Sequence, residues 1–281
     1  MKRNWIKANE LERFAQALRR EERAEGTIEK YCRDVAAFAG WLEGGPVTAE
    51  AARRWRAYLL DTGLAPVTVN SKLSALNSFF RFAGWTDCRV KFLKVQRRVF
   101  RNQDRELSRD EYDQLLAAAR EHGRERLALL LETICATGIR VSEVCYITVA
   151  AARAGRTDVA LKGKIRTVLL PDRLCRKLLK YAKKQKIAFG EIFLTKGGRS
   201  LSRRQIWREM KGLCKQAGVA ASKVFPHNLR HLFATVFYRA SRDIVKLADL
   251  LGHSSVDTTR IYLQTAGSEH VRQLERLGLV T

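Results

Sequence analysis

Apolar residues recur at helical spacing through most of the first ninety positions. Residues 28–42 show the pattern most clearly, and the segment ends at Gly44-Gly45-Pro46. Residues 48–60 and 67–82 repeat it, the second entered through Pro66 and closed by Gly84. Periodic segments bounded by glycine and proline are typical of amphipathic helices. The sequence therefore predicts a small all-helical domain over residues 1–90.

A second domain is predicted over residues 107–281. Residues 91–106 carry many cations and no sustained period, which indicates a linker. Ser108 with Glu111 three residues later forms a capping box that opens the first helix after it. Helical spacing dominates from there, except that two strand-like runs, 159–161 and 167–170, flank a basic tip at residues 162–166. The expected fold class is mainly α with a small β-hairpin, in two domains.

Charge narrows the class of partner. The 281 residues include 53 Lys+Arg and 29 Asp+Glu, for a formal net charge of +24. Such an excess favours a polyanion, with nucleic acid before a membrane, although simple solubility or ribosome association would also account for it. No apolar run approaches the ~20 residues of a membrane span. The six scattered cysteines and the charged N-terminus predict a cytoplasmic protein with reduced thiols.

Two segments could hold an anion. Residues 136–143 place Arg140 three positions before Glu143, so that on a helix continuing from Gly138 the carboxylate would orient the guanidinium. An ordinary surface ion pair has the same spacing. Residues 225–232 place His227, Arg230 and His231 on one face near a helix N-terminus. The rival zinc site of a His-x-x-x-His pair is disfavoured, since Arg230 would set a positive charge beside the metal.

Two further segments contribute a phenol and a lysine. Ser254 and Asp257 form a second capping box, which predicts His253 at a turn and Tyr262 two turns into the following helix. A tyrosine in that position is also a common core residue. At the hairpin tip, Lys162 could give up a proton more readily than an arginine, but a solvated lysine is the ordinary alternative.

Taken together, these segments supply two guanidiniums, a lysine, two or three imidazoles, one carboxylate and one phenol. They include no acidic cluster suited to Mg²⁺. The set fits phosphoryl transfer without a metal, and no cofactor is predicted.

The order and spacing of these motifs resemble the tyrosine recombinases, also called phage integrases. The motifs are Ala-Thr-Gly-Ile-Arg-Val-Ser-Glu at 136–143, His-Asn-Leu-Arg-His at 227–231, Leu-Leu-Gly-His at 250–253 and Tyr262, nine residues after His253. The helical domain is similar to that family's core-binding, SAM-like domain. The resemblance implies cleavage and rejoining of double-stranded DNA at specific recombination sites through a 3′-phosphotyrosyl intermediate, with neither ATP nor metal.

Roles follow from the resemblance position by position. Tyr262 would be the nucleophile, and Arg140 and Arg230 would hold the scissile phosphate. His227 would take or position the tyrosine proton, and His253 would donate to a phosphate oxygen. Lys162, with Lys164 as the alternative, would protonate the leaving 5′-oxygen, and Glu143 would brace Arg140.

The resemblance also implies a homotetramer on two duplexes, formed from a monomer or weak associate without DNA. The tail from residue 267 has helical spacing suited to docking on a neighbour or on its own domain. Integration or excision of a mobile element is the expected role. A Xer-like chromosome dimer resolvase, a type IB topoisomerase and a non-catalytic DNA-binding regulator on the same scaffold remain alternatives.

Overall fold

The computed structural model describes residues 4–95, 105–161, 164–263 and 275–276 of the chain. The chain divides into two compact units, Met1–Arg97 and Arg98–Thr281. Lys162 lies outside the described residues, as does nearly all of the tail predicted from residue 267. Over the described ranges, no helix is long and apolar enough to span a membrane.

The first unit is helical, as its apolar spacing predicts. Its elements are α1 (Ala8–Arg20), α2 (Glu25–Trp41), α3 (Ala49–Asp61), α4 (Pro66–Phe82) and a short 3-10 segment at Thr86–Cys88. The Thr48 side chain caps α3, and proline opens α4, where its missing N–H leaves no helical bond unmade. The core between the helices is aromatic, with Phe14, Phe38, Trp55, Phe79 and Phe80 at most 1% exposed.

Two asparagines of α4 fix the chain that follows the first unit's helices. The Asn77 side chain donates to the carbonyl of Val90 and accepts from its N–H, both at 2.9 Å. Asn70, on the same face, makes the same pair of bonds to Leu93, at 2.9 and 2.8 Å. The beginning of the predicted linker is thus held against α4 by hydrogen bonds that replace backbone pairing.

The second unit contains most of the remaining elements. They are α5 (Arg109–Glu121), α6 (Glu125–Thr137), α7 (Val149–Ala154), β1 (Arg156–Leu161), β2 (Lys164–Leu169), α8 (Asp172–Lys184), α9 (Arg203–Lys211), α10 (Cys214–Ala217), α11 (Pro226–Ser241), α12 (Ile244–Leu251) and α13 (Val256–Thr259). The predicted capping box opens α5, with the Ser108 hydroxyl accepting from the Glu111 N–H at 3.1 Å. The first core of this unit packs α5, α6 and α8 around residues such as Leu115, Leu130 and Leu178.

The predicted hairpin is confirmed, with longer strands than the sequence pattern indicates. Strands β1 and β2 are antiparallel, and Val159 pairs with Arg166. Strand β2 begins at Lys164 rather than at Thr167, so Arg166 belongs to the strand and not to the tip. The Lys164 backbone is described, whereas its side chain is not.

Candidate functional site

Arg140 is held by Glu143 through an element other than the one predicted. The expectation that a helix runs on from Gly138 is wrong, because Gly138 adopts φ +62 and ends α6. The chain then enters a 3-10 segment, Val141–Tyr146. The Arg140 Nη1 still lies 2.9 Å from Glu143 Oε1, and the Arg140 N–H donates to Glu143 Oε2 at 2.9 Å. The carboxylate therefore fixes both the backbone and the guanidinium of Arg140.

Glu143 serves a second arginine as well. It is 1% exposed, and its Oε2 accepts from Arg166 Nη2 at 2.6 Å. Burial alone would raise the pKa of Glu143, but hydrogen bonds from the Arg140 N–H and from Arg166 outweigh it and lower the pKa. The group is consequently a carboxylate that holds two guanidiniums.

Arg230 lies inside the domain on the first turns of α11, which begins at Pro226 as predicted. It is 3% exposed and donates to the carbonyl oxygens of Gly138 and Leu251, the latter at 2.7 Å. Burial, followed by the nearby charge of Arg140, lowers the pKa of Arg230 to about 10. Its hydrogen-bond partners are two carbonyl oxygens and the imidazole of His253, so its charge is left without a counter-ion within the described residues.

His253 follows Gly252 at the end of α12, in the turn that the sequence predicts. Its Nε2 lies 3.1 Å from Arg230 Nη2, and its Nδ1 lies 2.9 Å from the Thr259 hydroxyl. Because a guanidinium can only donate, Nε2 is assigned as the acceptor and Nδ1 as the protonated nitrogen. Burial and the neighbouring arginines, Arg230 first, lower the pKa of His253 to about 4. The ring is thus neutral at pH 7.

Tyr262 packs among the site's imidazoles. Its ring stacks on His253 at 5.9 Å between centroids and lies 5.1 Å from His231 and 6.4 Å from His227. The predicted capping box at Ser254 is wrong, because Ser255 caps α13 by accepting from the Asp257 N–H. Helix α13 is a single turn, and Tyr262 lies in the 3-10 segment Arg260–Leu263 after it. At 3% exposure the phenol is enclosed within the domain.

The structure brings most of the predicted site residues together. Arg230 joins the group at Arg140 through the Gly138 carbonyl, and His253 and Tyr262 join it through the contacts described above. His227 belongs to the group too, because its ring lies 6.4 Å from that of Tyr262, and burial and then the charges of Arg230 and Arg140 lower its pKa. Within the described ranges, no three His, Cys, Asp or Glu side chains are placed to share a metal ion.

Sequence reasoning did not find two of the site's residues. Arg166 binds Glu143 from β2, and Thr259 binds His253 from α13. The first contact joins segments far apart in the chain, and the second crosses a turn. The periodicity of apolar residues within one segment therefore does not predict either contact. Arg166 pairs across the hairpin with Val159, which is 1% exposed, and the sequence pattern missed this because it assigned Arg166 to the tip.

Comparison with known proteins places this chain in a family. Residues 105–269 match the phage integrase family, and residues 11–87 match the phage integrase N-terminal SAM-like domain. Tyrosine recombinase XerA of Pyrococcus furiosus is 29% identical, with 100% of this chain and 98% of the relative aligned. Tyrosine recombinase XerD of Brucella suis is 34% identical, over 90% of this chain and 91% of the relative.

Solved structures share the fold. A lambda integrase tetramer bound to a Holliday junction superposes with a TM-score of 0.73 at 21% identity, covering 90% of this chain and 76% of that chain. The family match extends over more than half of this chain, and the relatives align with nearly all of it. The protein therefore belongs to the phage integrase family of tyrosine recombinases.

Proposed function

We propose that the protein is a site-specific DNA recombinase that cleaves and rejoins strands through a 3′-phosphotyrosyl bond to Tyr262. The observation that carries the proposal is the surplus of cations around the phenol. The guanidiniums of Arg140 and Arg166 share the carboxylate of Glu143, and a third, that of Arg230, has no carboxylate partner among the described residues. Such a site is suited to an anion, and a DNA phosphodiester supplies one.

Arg140 and Arg230 are the residues that would hold the scissile phosphate. Each has donors beyond those used in the protein's own bonds, and Arg140 is 37% exposed at its side chain. During attack, negative charge accumulates on the non-bridging oxygens of the pentavalent transition state. Donors that are fixed beforehand stabilise that charge most effectively.

The imidazoles supply proton acceptors for the nucleophile. Burial, followed by the charges of Arg230 and Arg140, lowers the pKa of His227 and favours its neutral ring, which can take the proton as the Tyr262 oxygen bonds to phosphorus. The bond from phosphorus to the 5′-oxygen breaks, and Lys162, or else Lys164, gives that oxygen a proton. A phosphate beside His253 would raise the pKa of its ring and allow Nε2 to donate to a phosphate oxygen.

Tyr262 must leave its packing before it can attack. The 3% exposed phenol is surrounded by Ala234, Leu247 and Leu251 in a small separate core. DNA binding would therefore be coupled to a rearrangement of the segment that carries the nucleophile. This coupling restricts the chemistry to protein that is bound to its substrate.

The partners follow from the same proposal. Recombination between two duplexes requires four active sites, so we assign a homotetramer on double-stranded DNA that carries specific sites. Integration or excision of a mobile element is the first candidate role. The XerA and XerD names of the aligned relatives favour a second candidate, a Xer-like chromosome dimer resolvase.

Covalent trapping tests the proposal and finds the site at once. The full chain is incubated with a pool of nicked duplexes of randomised sequence, denatured with detergent, and the DNA that remains attached to protein is sequenced. We expect a defined sequence to be enriched and Tyr262→Phe to abolish the adduct. Tyr238→Phe, on α11 of the same domain, is the matched control and should retain it. Absence of an adduct with the unaltered chain, or its persistence in Tyr262→Phe, would reject the proposal.

A second assay separates recombination from relaxation alone. Two duplexes that carry the enriched sequence are mixed with the protein, and products of exchanged length are measured beside the relaxation of a supercoiled plasmid. A recombinase gives exchanged products. Relaxation without exchange would indicate a type IB topoisomerase instead.

A further inference from the structure

Arg166 links three segments of the catalytic unit. It stands on β2, and its side chain is 13% exposed. Its Nη2 binds Glu143 Oε2 at 2.6 Å, and its Nη1 donates to the carbonyl of Leu250 at 2.8 Å. One planar guanidinium therefore connects the hairpin, the 3-10 segment that carries Glu143 and the last turn of α12.

The fold leaves room for this side chain at Gly252. A Cβ on Gly252 would lie 2.2 Å from Arg166 Cδ, closer than any such contact can be. Gly252 also has φ +62, a conformation that glycine adopts without strain. The turn before His253 is thus shaped around the Arg166 side chain.

Arg166 is a poor choice for this position if its side chain serves only to fill the core. The Arg166 Nε is buried and has no hydrogen-bond partner within the described residues. An unpaired buried donor destabilises the fold, whereas an apolar side chain of similar length would fill the volume without that loss. The charge and the forked donors are therefore the features that the site uses.

We propose that Arg166 is a positioning residue for strand cleavage, acting through Glu143 and the end of α12. By holding Glu143, it fixes the carboxylate that aims Arg140 at the phosphate. By holding Leu250, it fixes the turn that presents His253 and the Leu251 carbonyl to which Arg230 donates. The inference rests on the proposed recombinase function.

The same contacts tie the hairpin to the phosphate site. Arg166 lies two residues after Lys164 on one continuous strand, so the placement of β2 and the orientation of Arg140 depend on a common side chain. A lysine at position 166 would not suffice. Its single ammonium cannot reproduce the two separate bonds that Nη1 and Nη2 make to Leu250 and Glu143 in the plane of the guanidinium.

The test compares Arg166→Met, Arg166→Lys and the control Arg156→Met, which removes an exposed arginine from the neighbouring strand β1. Single-turnover adduct formation is measured on the duplex selected by covalent trapping. Arg166→Met should slow it by about 10- to 100-fold, since a small displacement of catalytic groups has effects of this order. Arg166→Lys should also be slow, Arg156→Met should match the unaltered protein, and DNA affinity should change little in all three.

A neutral substrate distinguishes positioning from general damage. The same duplex is made with a methylphosphonate at the scissile position, which removes the negative charge that Arg140 binds. If Arg166 acts through Arg140, the rate ratio between the unaltered protein and the variant shrinks on this substrate. Cleavage by Arg166→Met at the unaltered rate, or an equal loss on both substrates, overturns the inference. If Arg166→Met melts at a much lower temperature, Arg166→Lys carries the same comparison.

Failure of the larger proposal gives a different result. If the unaltered chain forms no adduct, the recombinase function is rejected before any variant is compared. If the unaltered chain forms an adduct and the Arg166 variants form it at the same rate on the charged substrate, only the positioning role is rejected.

Discussion

Replacing Arg230 with methionine should separate stability from cleavage. Burial lowers the pKa of Arg230 from the ordinary arginine value to about 10, so keeping the guanidinium charged inside the fold is unfavourable by about 3 kcal/mol, at about 1.4 kcal/mol per pKa unit. Methionine has a similar length and carries no charge. It leaves the carbonyls of Gly138 and Leu251 without this donor, which costs about 1–3 kcal/mol. These effects offset each other, and the free energy of unfolding should stay within about 2 kcal/mol of the original value.

Cleavage should respond quite differently. Loss of one charged donor to the transition state raises the barrier by about 2–4 kcal/mol, or roughly 30- to 1,000-fold in rate. Arg140→Ala should have an effect of the same order, and both changes should alter DNA affinity much less. The matched control is Arg239→Met, which removes an exposed arginine from the same helix.

Urea unfolding at pH 7 and single-turnover adduct formation measure the two quantities. A fall of more than about 3 kcal/mol in the free energy of unfolding for Arg230→Met would refute the reasoning, because it would mean that the buried charge stabilises the DNA-free fold. Equal losses of affinity and cleavage rate would contradict the assigned role in the transition state.

Other features give further expectations. The His253 ring, followed by NMR in the free protein, should titrate near 4. The folded state then binds fewer protons than the unfolded state between about pH 4 and 6.5, so the free energy of unfolding should fall as the pH drops through that window. His253→Gln should make this fall less steep. Glu143→Gln should lower the free energy of unfolding by about 3–5 kcal/mol in urea titrations, since it uncouples two guanidiniums from their counter-charge; an unchanged value would contradict the shared-carboxylate account. Asn77→Ala should lower the free energy of unfolding by about 1–3 kcal/mol, because it leaves the Val90 backbone unpaired. An unchanged free energy of unfolding would show that water replaces the side chain.

Local periodicity accounts for most of what the sequence predicts correctly. Helices α2 to α4 follow from apolar spacing with glycine and proline at their ends, and α5 follows from the Ser108 capping box. The hairpin follows from two short runs around a polar tip. Each of these signals lies within one segment, which is why composition and spacing suffice.

The errors arise where a conformational choice depends on one or two residues. Gly138 can continue a helix or end it, and its left-handed conformation ended α6 before Arg140. Ser254 and Ser255 are both good caps, and the structure uses the second. Arg166 and the asparagine pair of α4 were not predicted at all, because their partners are brought close only by tertiary packing.

The contact between Arg166 and Gly252 couples two distant positions in evolution. A residue larger than glycine at 252 has no room while an arginine occupies 166, so the first change to be accepted must be a shorter side chain at 166. That change in turn releases Glu143 from one of its partners. A substitution at position 166 or 252 is therefore accepted only in combination with the residue at the other position. An alignment of homologues should show the two positions changing together or hardly at all.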